Sequence, residues 1–186
     1  MKSYCLLVLL SFISFLFACN NSSEQNGSKD TTSSSVTDTT NALSKTTAGE
    51  QNFINYAVPG NTKEIIWLKA GIQHSQNKAL KEHAMMMLKD HLQLDSTVKS
   101  YLSSHSTLSV PTVDTTNAVD IGNKKGAAWD KAWADKMVND HSDLLNKLKN
   151  SQNEIKDSAL LNIVNGTIPV VESHLKMAQD LQAKIK

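Results

Sequence analysis

The 186-residue chain contains no arginine; all 19 of its Lys/Arg positions are lysines. Guanidinium groups supply the bidentate phosphate and base-edge contacts that nucleic-acid binders favour, and the formal net charge is only +1. With neither feature, no nucleic-acid partner is expected. Cysteine is scarce too, with Cys5 and Cys19 the two in the chain. Beyond Cys19 no thiol is left for a disulfide, a thiolate metal site or a cysteine nucleophile, so that part must be held by packing alone. Three prolines, seven glycines and little β-branched alternation favour helix over sheet. Absent as well are a Gly-rich phosphate loop, a serine elbow and an acid-nucleophile-base set. A binding or structural module is therefore expected more than an enzyme.

Long apolar runs are limited to one, from Leu6 to Phe17, after the single charge of Lys2. It is about half the ~20 residues a membrane-spanning helix needs, which makes it an export signal. It ends in Leu16-Phe17-Ala18-Cys19, a lipobox in which small Ala18 admits the peptidase and the Cys19 thiol accepts the lipid. Residues 1–18 are thus expected to be a lipoprotein signal peptide, with Cys19 as the lipidated N-terminus. Residues 19–50 are rich in Ser, Thr and Asn and too poor in apolar groups to offset ordering entropy. They read as a flexible tether with a reach of ~30 Å. The expected address is the cell envelope, at the outer membrane facing the periplasm or surface. The membrane is one partner through the anchor, and another envelope protein is a candidate second.

Residues 51–186 suffice for one domain. Four helical segments are predicted. The first passes through Phe53 to Ala57, breaks or kinks at Pro59-Gly60, and resumes from about Thr62 to Gln73. The second runs from about Asn77 to Ser103 with Leu80, Ala84, Leu88, His91, Val98 and Leu102 on one stripe. The third covers about Ala127 to Asn150 through Trp133, Met137, His141, Leu144 and Leu148. The fourth covers about Asn153 to Lys184 through Leu160, Val164, Val171, His174, Ala178 and Leu181, bent near Gly166 and Pro169. Short turns and a long central connection make two helical hairpins, joined by a crossover or arranged up-down-up-down.

Met87-Leu88-Lys89-Asp90-His91 and Met137-Val138-Asn139-Asp140-His141 repeat one pattern, and Val171-Glu172-Ser173-His174 is related. On these residues, on Phe53 through Glu64, on Trp129-Asp130-Lys131-Ala132-Trp133 and on Ile168-Pro169, the chain resembles a bacterial ferritin-like family of unknown function labelled as exported or outer-membrane proteins. The resemblance covers about Phe53 to Ala183. It departs at Trp129 and Trp133, where the family usually has Phe and Tyr, at His83-Ala84, where it has Phe-Ala, and most of all between Pro111 and Gly126. It implies a four-helix ferritin-like bundle with the Asp-His positions among its most characteristic residues, and it brings no established activity.

Two functional readings follow. In the first, His91, His141 and His174 supply nitrogen ligands and Glu64 an oxygen ligand to a mononuclear transition metal, supported by Asp90, Asp140 and Asp130. A di-iron centre is disfavoured because no Glu-x-x-His occurs. Counting residues from turns near Ser75 and Ser151 puts Glu64, His91 and His141 within ~8 Å along the axis, but His174 some 10 to 20 Å off unless Pro169 restores it. His174 could then meet Asp130 or Trp129 instead. In the second reading the module is non-catalytic and metal-free, with Asp90-His91 and Asp140-His141 as hydrogen-bonded core pairs and Asn61 to Glu64 as a capping box. Met87, Met137 and Met177, one turn from the histidines, offer thioethers to Cu(I) or simply fill gaps.

Overall fold

The computed structural model describes residues 48–185, so the signal peptide, Cys19 and most of the tether lie outside the described residues. Four helices follow one another: α1 (Ala48–His74), α2 (Lys78–Ser103), α3 (Ala127–Glu154) and α4 (Ser158–Gln182). Among the described residues there is no strand, and no helix is long and apolar enough to cross a membrane.

Local chemistry sets the helix ends. Asn77 caps α2 by accepting the Leu80 amide at 3.2 Å, and Asp157 caps α4 by accepting that of Leu160 at 2.8 Å. The expected break at Pro59-Gly60 does not separate two helices, since α1 runs through both residues. Phe53 and Ile54 before the proline and Glu64, Trp67 and Leu68 after it all bury on one side. That burial outweighs the single backbone hydrogen bond a proline removes. Asn61 is consequently inside the helix and is not an N-cap, which removes the capping-box reading. Pro169 likewise lies within an unbroken α4.

Directions follow from cross-helix bonds. Tyr56, early in α1, meets the Ser151 hydroxyl, late in α3, at 2.7 Å, while Trp133 Nε1, early in α3, donates to the Trp67 carbonyl, late in α1, at 2.9 Å. Helices α1 and α3 are therefore antiparallel, and the hairpins make α2 antiparallel to α1 and α4 antiparallel to α3. It follows that α2 and α3 run the same way, and residues 104–126 must travel the length of the bundle. Packing closes the ring as α1 on α2, α2 on α4, α4 on α3 and α3 on α1. The Glu50 carboxylate ties the ring at one end, accepting the amides of Lys156 and Asp157 at 2.7 and 2.9 Å. Close approach of α1 and α3 rests on Gly71, where a Cβ would meet the Trp133 indole at 2.9 Å.

The core divides in two. One half gathers residues such as Phe53, Ile54, Leu148, Leu160 and Val164, and the other Trp67, Leu68, Leu80, Met87, Trp133 and Met137. All six stripe residues predicted for α4 are buried. In α2 the buried stripe takes Met87 and Tyr101 where Leu88 and Leu102 were expected, a rotation of one residue. Trp67 and Trp133 are core anchors, whereas Trp129 is only half-buried.

Candidate metal centre

Between the two apolar halves, each helix contributes a polar side chain to one layer: Asn61 and Glu64 from α1, His91 from α2, His141 from α3 and His174 from α4. The three imidazoles form a nearly equilateral triangle, with ring centroids 5.7 Å apart for His91 and His141 and 5.4 Å for each of the other pairs. All three are buried, and one nitrogen from each lies within 4.8 Å of the others.

His174 is at this level, contrary to the offset expected from counting. Helix α3 continues to Glu154, beyond the assumed turn at Ser151. His141 then precedes the end of α3 by about 13 residues and His174 follows the start of α4 by about 16, a difference of only ~5 Å at 1.5 Å per residue. His174 meets neither Asp130 nor Trp129 in a hydrogen bond; its Nε2 lies 3.1 Å from Asp90 Oδ2.

Each ring is held by one nitrogen. His91 Nδ1 lies 2.8 Å from Asn61 Oδ1, and Asn61 Nδ2 donates to the His91 backbone carbonyl at 3.1 Å. The amide is thereby oriented with its oxygen toward the ring, so Nδ1 carries the proton and donates. His141 Nδ1 donates to the Met137 carbonyl at 2.8 Å, and His174 Nε2 donates to Asp90. These bonds leave His91 Nε2, His141 Nε2 and His174 Nδ1 as lone pairs. All three atoms are buried and have no hydrogen-bond partner.

The electrostatics keep the rings neutral. Burial lowers the His91 pKa to about 3, with His141 and His174 nearby adding to the shift, and burial lowers that of His141 to about 4. His174 is lowered too, by burial, with Asp90 working against the shift. Glu64 moves the other way: burial, then the adjacent Asp140 carboxylate, raises it to about 8. At neutral pH it is a neutral carboxylic acid. Its Oε1 is 3.9 Å from His141 Nδ1, the nitrogen already committed to Met137, and has no hydrogen-bond partner. Glu64 is thus beside the triangle and not among its three converging groups.

The Asp-His repeat does not form the adjacent pairs expected. Neighbouring residues point ~100° apart on a helix, so Asp90 crosses to His174 while Asp140 pairs with Lys136 at 2.6 Å. Asp130 is buried at the start of α3, one oxygen without a partner, and lies about 11 residues or ~16 Å along the helix from His141. Met87 and Met137 are packed in the apolar half next to the layer; the Met137 contribution to the site is its carbonyl. Asn61 is the site residue that sequence reasoning missed. A signal for it existed, since Asn61 and His91 lie symmetrically about Gln76 in the middle of the first turn, hence at one level of an antiparallel hairpin.

Two clefts reach the layer. The larger, about 680 Å³, is lined at its base by Glu64, His91 and His141; the smaller, about 430 Å³, by Asp90, His91 and His174. Fold and site together define a four-helix domain with a buried histidine layer. The chain belongs to the family described as a domain of unknown function, DUF4142, whose pattern matches residues 35–181. No curated protein and no solved structure matches it.

Proposed function

We propose that the domain is a metal-binding helical bundle in which His91 Nε2, His141 Nε2 and His174 Nδ1 hold a mononuclear transition metal ion. One observation carries the reading: three buried imidazole lone pairs face one another without a donor. A core histidine kept only for packing has its polar atoms satisfied, because an orphaned buried acceptor costs about 1–3 kcal/mol. A cation removes that cost for all three at once. The outer bonds to Asn61, Met137 and Asp90 match the way metal-binding histidines are oriented through their second nitrogen. Metal–nitrogen bonds of ~2.0–2.1 Å need the nitrogens about 3.3–3.6 Å apart, which modest ring rotations from the present spread provide.

A ferritin-like bundle, with one long crossover and a site built in the core from facing helices, is the architecture this reading uses. Imidazole without carboxylate or thiolate suits Zn, Cu or Ni better than Mg or Ca. In the same proposal the domain is carried at the cell envelope by a lipid on Cys19, facing the periplasm or surface, on a tether that ends before Ala48, since residues 48–50 of the expected tether belong to α1 and Glu50 is buried. The support is the lipobox sequence.

Metal analysis of the purified protein beside a His91→Ala/His141→Ala variant tests the centre. Near-stoichiometric metal in the parent and none in the variant is expected. Equal metal content in both, together with a melting temperature indifferent to zinc, copper and chelators, overturns it in favour of a metal-free interaction module. Radiolabelled palmitate incorporation that survives in Cys19→Ser overturns the anchor.

A further inference from the structure

The two clefts that reach the histidine layer differ in charge. The larger is lined by aspartates and lysines together, Asp143 and Lys147 among them, with Glu64 and Asp140 on the side of His141. In the smaller, between α2 and α4, Asp90 is the only charged residue among the described residues of the lining, and its carboxylate holds His174 Nε2 at 3.1 Å. Leu94, Leu144, Ile163 and Val171 give the smaller cleft apolar walls, and the exposed Gln93 and Asn162 add uncharged polar groups. His91 and His174 also line it, both buried and each with one nitrogen that lacks a hydrogen-bond partner. Its volume of about 430 Å³ lies within the range of small-molecule sites, which combine apolar walls with a few convergent polar groups.

Resting on the metal reading, we infer that the smaller cleft admits a small uncharged molecule with a lone-pair donor to an open coordination position of the metal. Three protein ligands leave such a position, as in metal sites that take an exogenous ligand and unlike closed structural sites with four. Charge selects among the candidates. The pull of the metal on an anion is opposed here by the Asp90 carboxylate, and no lysine lies in the described lining to offset it. A cation attracted by Asp90 is repelled by the metal beyond it. An uncharged molecule meets neither repulsion, and its apolar body gains from burial against the leucines. The glycines allow each cleft to be closed alone. Gly166 lines the smaller and Gly60 the larger, and a Cβ at either would meet nothing within 4 Å. A side chain at these positions therefore enters open space instead of displacing the core.

The test uses the full chain loaded with Co(II) as a visible probe and titrated at neutral pH with pyridine, which is uncharged there, and with acetate. Pyridine is expected to change the cobalt spectrum with an affinity at least about tenfold higher than that of acetate. Gly166→Phe is expected to keep cobalt and lose the pyridine response, while Gly60→Phe keeps both. Cobalt that loads but responds to acetate as tightly as to pyridine, or to neither, overturns this inference and leaves the metal centre standing. So does a pyridine response lost in Gly60→Phe and kept in Gly166→Phe. Failure of the parent to take up cobalt overturns the metal centre, and this inference with it. The comparison of pyridine with acetate on the parent protein holds whether or not the two variants fold.

Discussion

On either side of the histidine layer the bundle buries groups that need only contact, such as Ile54, Leu148 and Leu160 at one end and Leu68, Leu80 and Trp133 at the other. Within the layer the buried groups are three imidazoles and a carboxyl, each with one polar atom lacking a hydrogen-bond partner. The halves gain free energy from area removed from water; the layer, without a cation, spends some of it. Such a division is expected where a site is maintained at the expense of stability, and it makes the two regions separable by experiment.

The sharpest break is Trp133→Ala, in the half built from contact. It removes a fully buried indole, its bond to the Trp67 carbonyl and its seat over Gly71. A loss of about 3–5 kcal/mol is expected in urea unfolding, while the metal content per folded molecule stays as in the parent.

Acid should break the layer before the halves. The three histidines have folded pKa values below the ordinary 6.5, so their contribution is present above pH 6.5 and is lost as pH falls toward about 4 and 3. Glu64, raised from 4.5 to about 8, contributes fully below pH 4.5 and loses that contribution as pH rises through 8. Three groups outweigh one below pH 6.5, and Glu64 acts alone above it. These groups therefore place the stability maximum of the metal-free protein near pH 6.5, which melting temperatures across pH 4–9 would check; a steady rise in stability down to pH 4 contradicts the assignment.

Metal affinity separates the regions further. Asn61→Ala removes the acceptor that fixes the His91 ring and is expected to weaken zinc binding about 10- to 100-fold by competition with a chromophoric chelator. An unchanged affinity would show that the clamp does not orient the ligand. His141→Leu replaces an orphaned polar group by an apolar one of similar size. Metal-free stability should stay level or rise by about 1–2 kcal/mol, with the zinc-induced rise in melting temperature abolished. The smallest effect belongs to Gly166→Ala, at an exposed position of α4 where the added methyl meets nothing. A gain of about 0.5–1 kcal/mol follows from helix propensity alone.

How far these regions are legible beforehand differs by helix. In α4 the stripe of Leu160, Val164, Val171, His174, Ala178 and Leu181 keeps helical spacing from end to end, and all six of these positions are buried. In α2 the run Met85-Met86-Met87-Leu88 is apolar throughout, and two phases fit; only packing chose Met87, leaving Met85 and Met86 half exposed. Helix α3 outlasts the expected end near Asn150 because nothing at residues 151–154 forbids helix, and Ser151 finds Tyr56 across the interface. The error of a few residues at that turn was enough to misplace His174.

Composition and periodicity determined by themselves that this chain makes an all-helical domain without disulfides and that histidines occupy the inward stripes of three helices, since those properties depend on neighbours within one turn. The course of the crossover, the continuity of α1 through Pro59, the Asn61 clamp and the meeting of three lone pairs were decided only by tertiary structure. Each depends on the axial level and rotation of one helix against another, which are set by the summed packing of side chains far apart in the chain and leave no local trace.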